Sequence, residues 1–157
     1  FQIQADHYIL NKTDFIPKSV VSVNKSPFDF CKPRSIRQQL QSFPKDEQLT
    51  QNQGYNHAFV LTHPDSLPDI RYTVPDFPIQ LDVSSDAPCM VLYTGGFIEK
   101  GLPLSHNQVT IPSCALAFEF QDYPDAPGDH GFPYSITSPS QLWTRNICYK
   151  FINGKNY

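Results

Sequence analysis

Apolar and polar residues alternate from the first position, with Phe1, Ile3 and Ala5 separated by Gln2 and Gln4, and the apolar run continues through Tyr8 to Leu10. A period of two is the pattern of a half-buried strand. After Pro17, "SVVSV" is β-branched and strand-like, and "NKSPFDF" reads as a turn. Helical spacing occurs at Ile36, Leu40 and Phe43, where Ser35 can cap the start and Pro44 follows the end. This predicts one short peripheral helix from Ser35 to Phe43. Lys45 to Gln53 is polar and reads as a loop, with Gly54 free to turn the backbone into the next element. Beyond it come "HAFVLT", "IRYTV", "IQLDVSS", "CMVLYT", "QVTIP", "ALAFEFQ" and "LWTRNICYKFI", separated by Pro, Gly, Asp and Ser clusters. Short extended segments with such punctuation predict an all-β chain, an antiparallel sandwich or barrel.

Composition narrows this without changing it. At 157 residues the chain has the size of one domain or a piece of a larger one, and neither a repeat nor a linker divides it. Its 15 prolines are about twice the average usage, which suits a turn-rich β protein. A net charge of −3, from 12 basic and 15 acidic residues without long blocks, offers no footprint for nucleic acid or an anionic membrane. No stretch reaches the roughly 18 apolar residues of a transmembrane helix, and residues 1–10 lack the form of a signal peptide. Cys31, Cys89, Cys114 and Cys148 show no CxxC pair, and three of them lie in or beside strand-like segments, so buried free thiols and a reducing, cytoplasmic compartment are expected. The one methionine is Met90, so Phe1 is not a translation start and the chain is expected to derive from a longer product.

Candidate chemistry centres on "LAFEFQDYPDAP", where Glu119 interrupts an apolar strand. Strand alternation puts Phe118 and Phe120 on one face and Ala117, Glu119 and Gln121 on the other. If the aromatic face is the core, Glu119 faces either solvent, the commoner case, or a cleft in which partial burial makes it a better base. In "GYNHAFVL", Asn56 and His57 are adjacent and point opposite ways, and His57 alone reads as structural. His7, His57, His63, His106 and His130 show no HxxxH or HxH spacing, so no metal site is expected. "VLYTGGFIEKG" lacks phosphate-loop spacing and reads as a hairpin turn, with Tyr93 able to pack in the core or stack on a sugar.

Taken in order, four stretches resemble the aldose 1-epimerase (galactose mutarotase) family. "FQIQADHYILNKTDFIPKSVVSVNKSPFDFCKP" is similar to a family segment running from "AD.Y" to "TPFDFR.P". "GYNHAFVL" resembles "G-Y/F-D-H-x-F-V-L", "PCMVLYTGGF" resembles "P.VQ.YTGNF", and "LAFEFQDYPDAP" resembles "LE-x-Q-x-x-PDAPN". The agreement runs from Phe1 to about Phe151. It implies a galactose mutarotase-like β-supersandwich, here partial, with residues 1–157 as the C-terminal part of a single domain.

By the same resemblance the activity is interconversion of the α and β anomers of a hexose such as galactose or glucose, without cofactor or metal. Glu119 matches the family's base, Asn56 its sugar-binding aspartate, and Gln121 a supporting side chain, while Tyr93 is placed near the ring. Family histidines upstream of the matched region, one of them the general acid, have no counterpart here. The expected partners are therefore a hexose and either the N-terminal half of the fold or a second copy. Three positions depart from the pattern, Asn56 for Asp, Gly96 for Asn and Gly128 for Asn. A non-catalytic carbohydrate-binding or truncated remnant is the second reading.

Overall fold

The computed structural model describes residues 1–128 and 131–153; His130, among the histidines considered for a metal site, lies outside them. Nine strands follow in chain order: β1 (Gln2–Ile3), β2 (Ala5–Asn11), β3 (Pro17–Ser22), β4 (Asn56–Leu61), β5 (Ile70–Thr73), β6 (Ile79–Ser85), β7 (Cys89–Tyr93), β8 (Ala117–Gln121) and β9 (Ile147–Asn153). They form two antiparallel sheets, ordered β1-β5-β6-β9 and β3-β2-β4-β7-β8. Among the described residues this is the expected all-β sandwich.

The opening run is not one strand, because Gln4 is where the chain crosses from one sheet to the other. Its N–H donates to the Asp69 carbonyl at 2.8 Å, while its own carbonyl accepts from Thr62 N–H at 2.9 Å. Local alternation looks the same whichever sheet a residue joins, so the crossing leaves no trace in the pattern.

The inward faces carry Ile3, Tyr8, Phe59, Ile70, Val83, Met90 and Leu92, with Phe118 and Phe120 partly buried against them. Phe28 and Phe30, from the segment read as a turn, are inserted fully into this core. The Phe28 ring stacks on Tyr8 with centroids 3.9 Å apart and meets Tyr55 edge-on at 5.5 Å. Burying each ring is worth about 1.5–3 kcal/mol, and buried polar groups of the loop find partners. The Pro27 carbonyl, for example, accepts from Tyr55 Oη at 2.7 Å and Gln39 Nε2 at 3.3 Å.

The predicted helix forms as α1 (Ile36–Ser42), with Ser35 Oγ accepting from Gln38 N–H. A second helix, α2 (Glu47–Gln51), occupies part of the expected loop and corrects the expectation of one helix. Asp46 caps it through Leu49 N–H at 3.0 Å, and Leu49 is its buried residue. One apolar contact in five residues is too little to register as periodicity.

"QVTIP" is not a strand; its Val109 makes an isolated bridge to Pro103, and Val109 and Ile111 are exposed. "LWTRNICYKFI" becomes extended only at Ile147, after Asp86 grips the Asn146 amide groups. The thiols are free, but only Cys89 is buried; Cys31, Cys114 and Cys148 are exposed, which corrects the burial expected of them. "YTGG" is not a tight hairpin either, since residues 94–116 intervene between β7 and β8.

Each sheet has two edge strands among the described residues, β1 and β9 in one and β3 and β8 in the other. β8 pairs with β7 alone, and β9 pairs with β6 alone. Tyr149 and Phe151 stand opposite Val83 and Leu81 on the inward side of their sheet, yet are 49% and 70% exposed.

Candidate functional site

Sheet register assembles the candidate residues. The pairing of β4, β7 and β8 lays out three rows across one face: Asn56–Tyr93–Ala117, Ala58–Val91–Glu119 and Val60–Cys89–Gln121. All four residues singled out by sequence, Asn56, Tyr93, Glu119 and Gln121, therefore share the outer face of the five-stranded sheet. Strand spacing puts the Asn56 and Glu119 backbones roughly 12 Å apart. Between them on β7 lie Tyr93 and Val91, with Ala117 beside Glu119 on β8.

Part of this face is covered. Ile9, Ala58 and Cys89 pack against Ala126 and Phe132, with Val60, Val91 and Tyr123 at the margin. The "YPDAP" turn that makes this cover is closed by Ala126 N–H to Tyr123 O and Gly128 N–H to Asp125 O, with Asp125 in the left-handed region at φ 53°. Glu119 itself is exposed, and Asn56, Tyr93 and Gln121 are half-buried. Gln121 Nε2 donates to the Asp122 carbonyl at 3.2 Å, so in this structure it does not brace Glu119. Tyr93 Oη accepts the Phe97 N–H at 3.2 Å, which ties the following turn to this face.

His57 points the other way, as adjacent positions in a strand must. It is 1% exposed in the inter-sheet core, and burial lowers its pKa to about 3. The Asn56 N–H donates to its Nδ1 at 3.1 Å, so the ring proton sits on Nε2, where Gln48 Oε1 accepts it at 3.3 Å. A neutral, fully engaged imidazole on the wrong face has no access to a ligand beside Glu119. His7 does share the outer face, but on β2, three strands and roughly 14 Å from β8.

The large groove of the molecule, about 1540 Å³, opens on the opposite side of β8. Phe1, Leu40, Tyr72, Phe118 and Tyr149 line it, and Glu119 does not. These apolar side chains share its lining with polar ones, among them Arg34, Arg37, Gln38 and Ser113.

Two aromatic side chains stand at the Asn56–Tyr93 end, of which Phe97 closes the motif "PCMVLYTGGF" and Phe15 lies between the "AD.Y" and "TPFDFR.P" ends of the first stretch. Phe15, from the β2–β3 hairpin, and Phe97 meet edge to face with centroids 6.1 Å apart. Nothing local signals this, because the two are far apart in the chain and each alone reads as loop.

Comparison with known proteins decides the family. The aldose 1-epimerase family model matches residues 1–150. The chain belongs to the aldose 1-epimerase family. Among its relatives, the Escherichia coli aldose 1-epimerase is 29% identical over 156 residues, covering 96% of this chain and 44% of that protein. The Haemophilus influenzae aldose 1-epimerase is 28% identical over 127 residues, 80% of this chain and 36% of that protein. The Mus musculus galactose mutarotase is 25% identical over 153 residues, 95% and 42% respectively. The chain thus spans less than half the length of these aldose 1-epimerase relatives.

Solved structures agree on the fold. The GalM/aldose epimerase homologue from C. elegans superposes with a TM-score of 0.81 at 20% identity, over 98% of this chain and 45% of that one. The galactose 1-epimerase from Lactobacillus acidophilus gives 0.65 at 23% identity, over 98% and 43%.

Proposed function

We propose that this chain is the base-bearing, C-terminal part of an aldose 1-epimerase that interconverts the anomers of a hexose such as galactose or glucose. The observation that carries the reading is the shared face. Register alone aligns a carboxylate, an amide and a phenol across β8, β4 and β7.

Glu119 takes the proton of the anomeric hydroxyl while an acid protonates the ring oxygen. The bond between the anomeric carbon and that oxygen breaks to give the open aldehyde. Rotation of the aldehyde and reversal of both proton transfers close the other anomer, so neither a cofactor nor a metal is required. Asn56 and Gln121 hold sugar hydroxyls, and Tyr93 borders the ring. The acid comes from outside this chain, and a partner that fits is the N-terminal half of the domain or a second copy. The open β8 edge and exposed Tyr149 and Phe151 support such a partner, since unpaired edges and apolar surface favour association.

Polarimetry of the protein at the full length of its relatives tests the base. Glu119→Gln should slow mutarotation about 10²- to 10⁴-fold, the usual value of one positioned proton-transfer group. A rate within a few-fold of the parent would remove Glu119 from the mechanism.

Asn56 favours a second reading, a carbohydrate-binding remnant without turnover. An amide holds a hydroxyl without the charge-assisted strength of a carboxylate. Hexose binding that persists when mutarotation is absent in that longer protein would support it.

A further inference from the structure

Phe15 and Phe97 are difficult to explain as packing. Each is nearly half exposed, at 48% and 46%, and each sits in a held turn rather than a loose one. In the β2–β3 hairpin, Lys12 N–H donates to Ile16 O at 2.8 Å, Phe15 N–H to Lys12 O at 3.0 Å, and Ile16 N–H to Asp14 Oδ1 at 3.2 Å. Phe15 itself lies in the left-handed region at φ 67°, a costly conformation for an aromatic residue and one that tends to mark functional positions. Phe97 is fixed from two sides. Its N–H is bonded to Tyr93 Oη, and Gly96 lies so close to the Gln53 carbonyl that an added Cβ would collide with it. Backbone strain and side-chain exposure both oppose folding, yet both are tolerated where they keep two rings in contact at one end of the sheet.

That end is the one where Asn56, Tyr93 and Ala117 form the last row. We propose that Phe15 and Phe97 form a wall against which the apolar C–H face of a pyranose packs, beside the Tyr93 hydroxyl and the Asn56 amide. The proposal deepens the sugar reading above and rests on it. A pyranose presents hydroxyls at its rim and C–H groups on its faces, so a polar floor and an aromatic side wall meet complementary parts of one ring. Tyr93 uses an acceptor position on Phe97 N–H and keeps its own proton for a ligand oxygen. The wall thereby coincides with the hydroxyl that would orient the sugar.

Titration of the protein at the full length of its relatives with methyl β-galactoside, followed by amide chemical shifts, tests this without requiring turnover. Phe97→Ala and Phe15→Ala should each weaken binding roughly three- to ten-fold, the range to which single aromatic contacts convert. Phe97→Tyr, which keeps the ring, should stay within about two-fold of the parent. Preserved shift dispersion in each variant separates lost contact from lost folding, and Phe15→Leu replaces Phe15→Ala if the latter fails to fold. Affinities of both truncations within about two-fold of the parent would overturn the wall while leaving the sugar site standing. Absence of binding by the parent would instead remove the sugar reading and the wall with it.

Discussion

The two faces of the five-stranded sheet are built from neighbouring residues and do opposite work. On the inner face His57, Phe59, Met90 and Leu92 are fully enclosed, and even the histidine is held neutral by burial. On the outer face Asn56, Tyr93 and Glu119 remain reachable, while Ala126 and Phe132 cover Ala58 and Cys89. Asn56 and His57 make the contrast sharp: adjacent in the chain, one keeps its amide half-buried on the outer face and the other is enclosed by the core. Whether a polar side chain in this sheet is enclosed or reachable therefore follows its parity along the strand, not its chemistry.

The largest test of this contrast is to damage the inner face and look for an effect on the outer one. Phe59→Ala removes a ring that is 0% exposed and in contact with Phe28 and Phe30, and should cost about 3–5 kcal/mol in denaturant unfolding. Sugar affinity of the molecules still folded should be unchanged; a matching loss of affinity would mean that the faces are not independent.

A smaller effect comes from His57. Its pKa is about 6.5 in the unfolded chain and about 3 when folded, so on acidification the unfolded state takes up the proton first. Stability from this group is complete above about pH 6.5 and falls toward about pH 3, by up to about 1.4 kcal/mol per pH unit. Urea midpoints should drop between about pH 6.5 and 5 in the parent and flatten over that window in His57→Gln. The same slope in both proteins would exclude His57 as its source.

Least disturbing is Asn56→Asp, on the outer face. Unfolding should shift by no more than about 0.5 kcal/mol, the usual range for an accessible position. Hexose binding should tighten about three- to ten-fold as a charge-assisted hydrogen bond replaces a neutral one. Weaker binding by this variant in calorimetry would show that Asn56 is adapted to a ligand of different polarity.

Much of the architecture was legible in the amino-acid pattern. Alternation placed Glu119 opposite Phe118 and Phe120, and separated Asn56 from His57, because a strand has no other way to direct consecutive side chains. Ser35 and Pro44 bounded α1. What escaped has a common cause, dependence on distant partners. Leu49 turns residues 47–51 into a helix only because a core exists for it to enter, Gln4 changes sheets through bonds to Thr62 and Asp69, and Phe28 is a core residue in a segment shaped like a surface turn.

For the site, the order of residues along the chain set which side-chain types stand at which parity, and the family to which that order belongs. It put Gln121 on the face of Glu119 but left open which strands lie beside β8. The folded arrangement alone makes β4, β7 and β8 neighbours, bringing Asn56, Tyr93 and Glu119 onto one surface and setting Phe15 against Phe97. The reason is physical: side-chain direction follows from local backbone geometry, whereas strand order and register follow from long-range pairing and core burial, which no single stretch encodes.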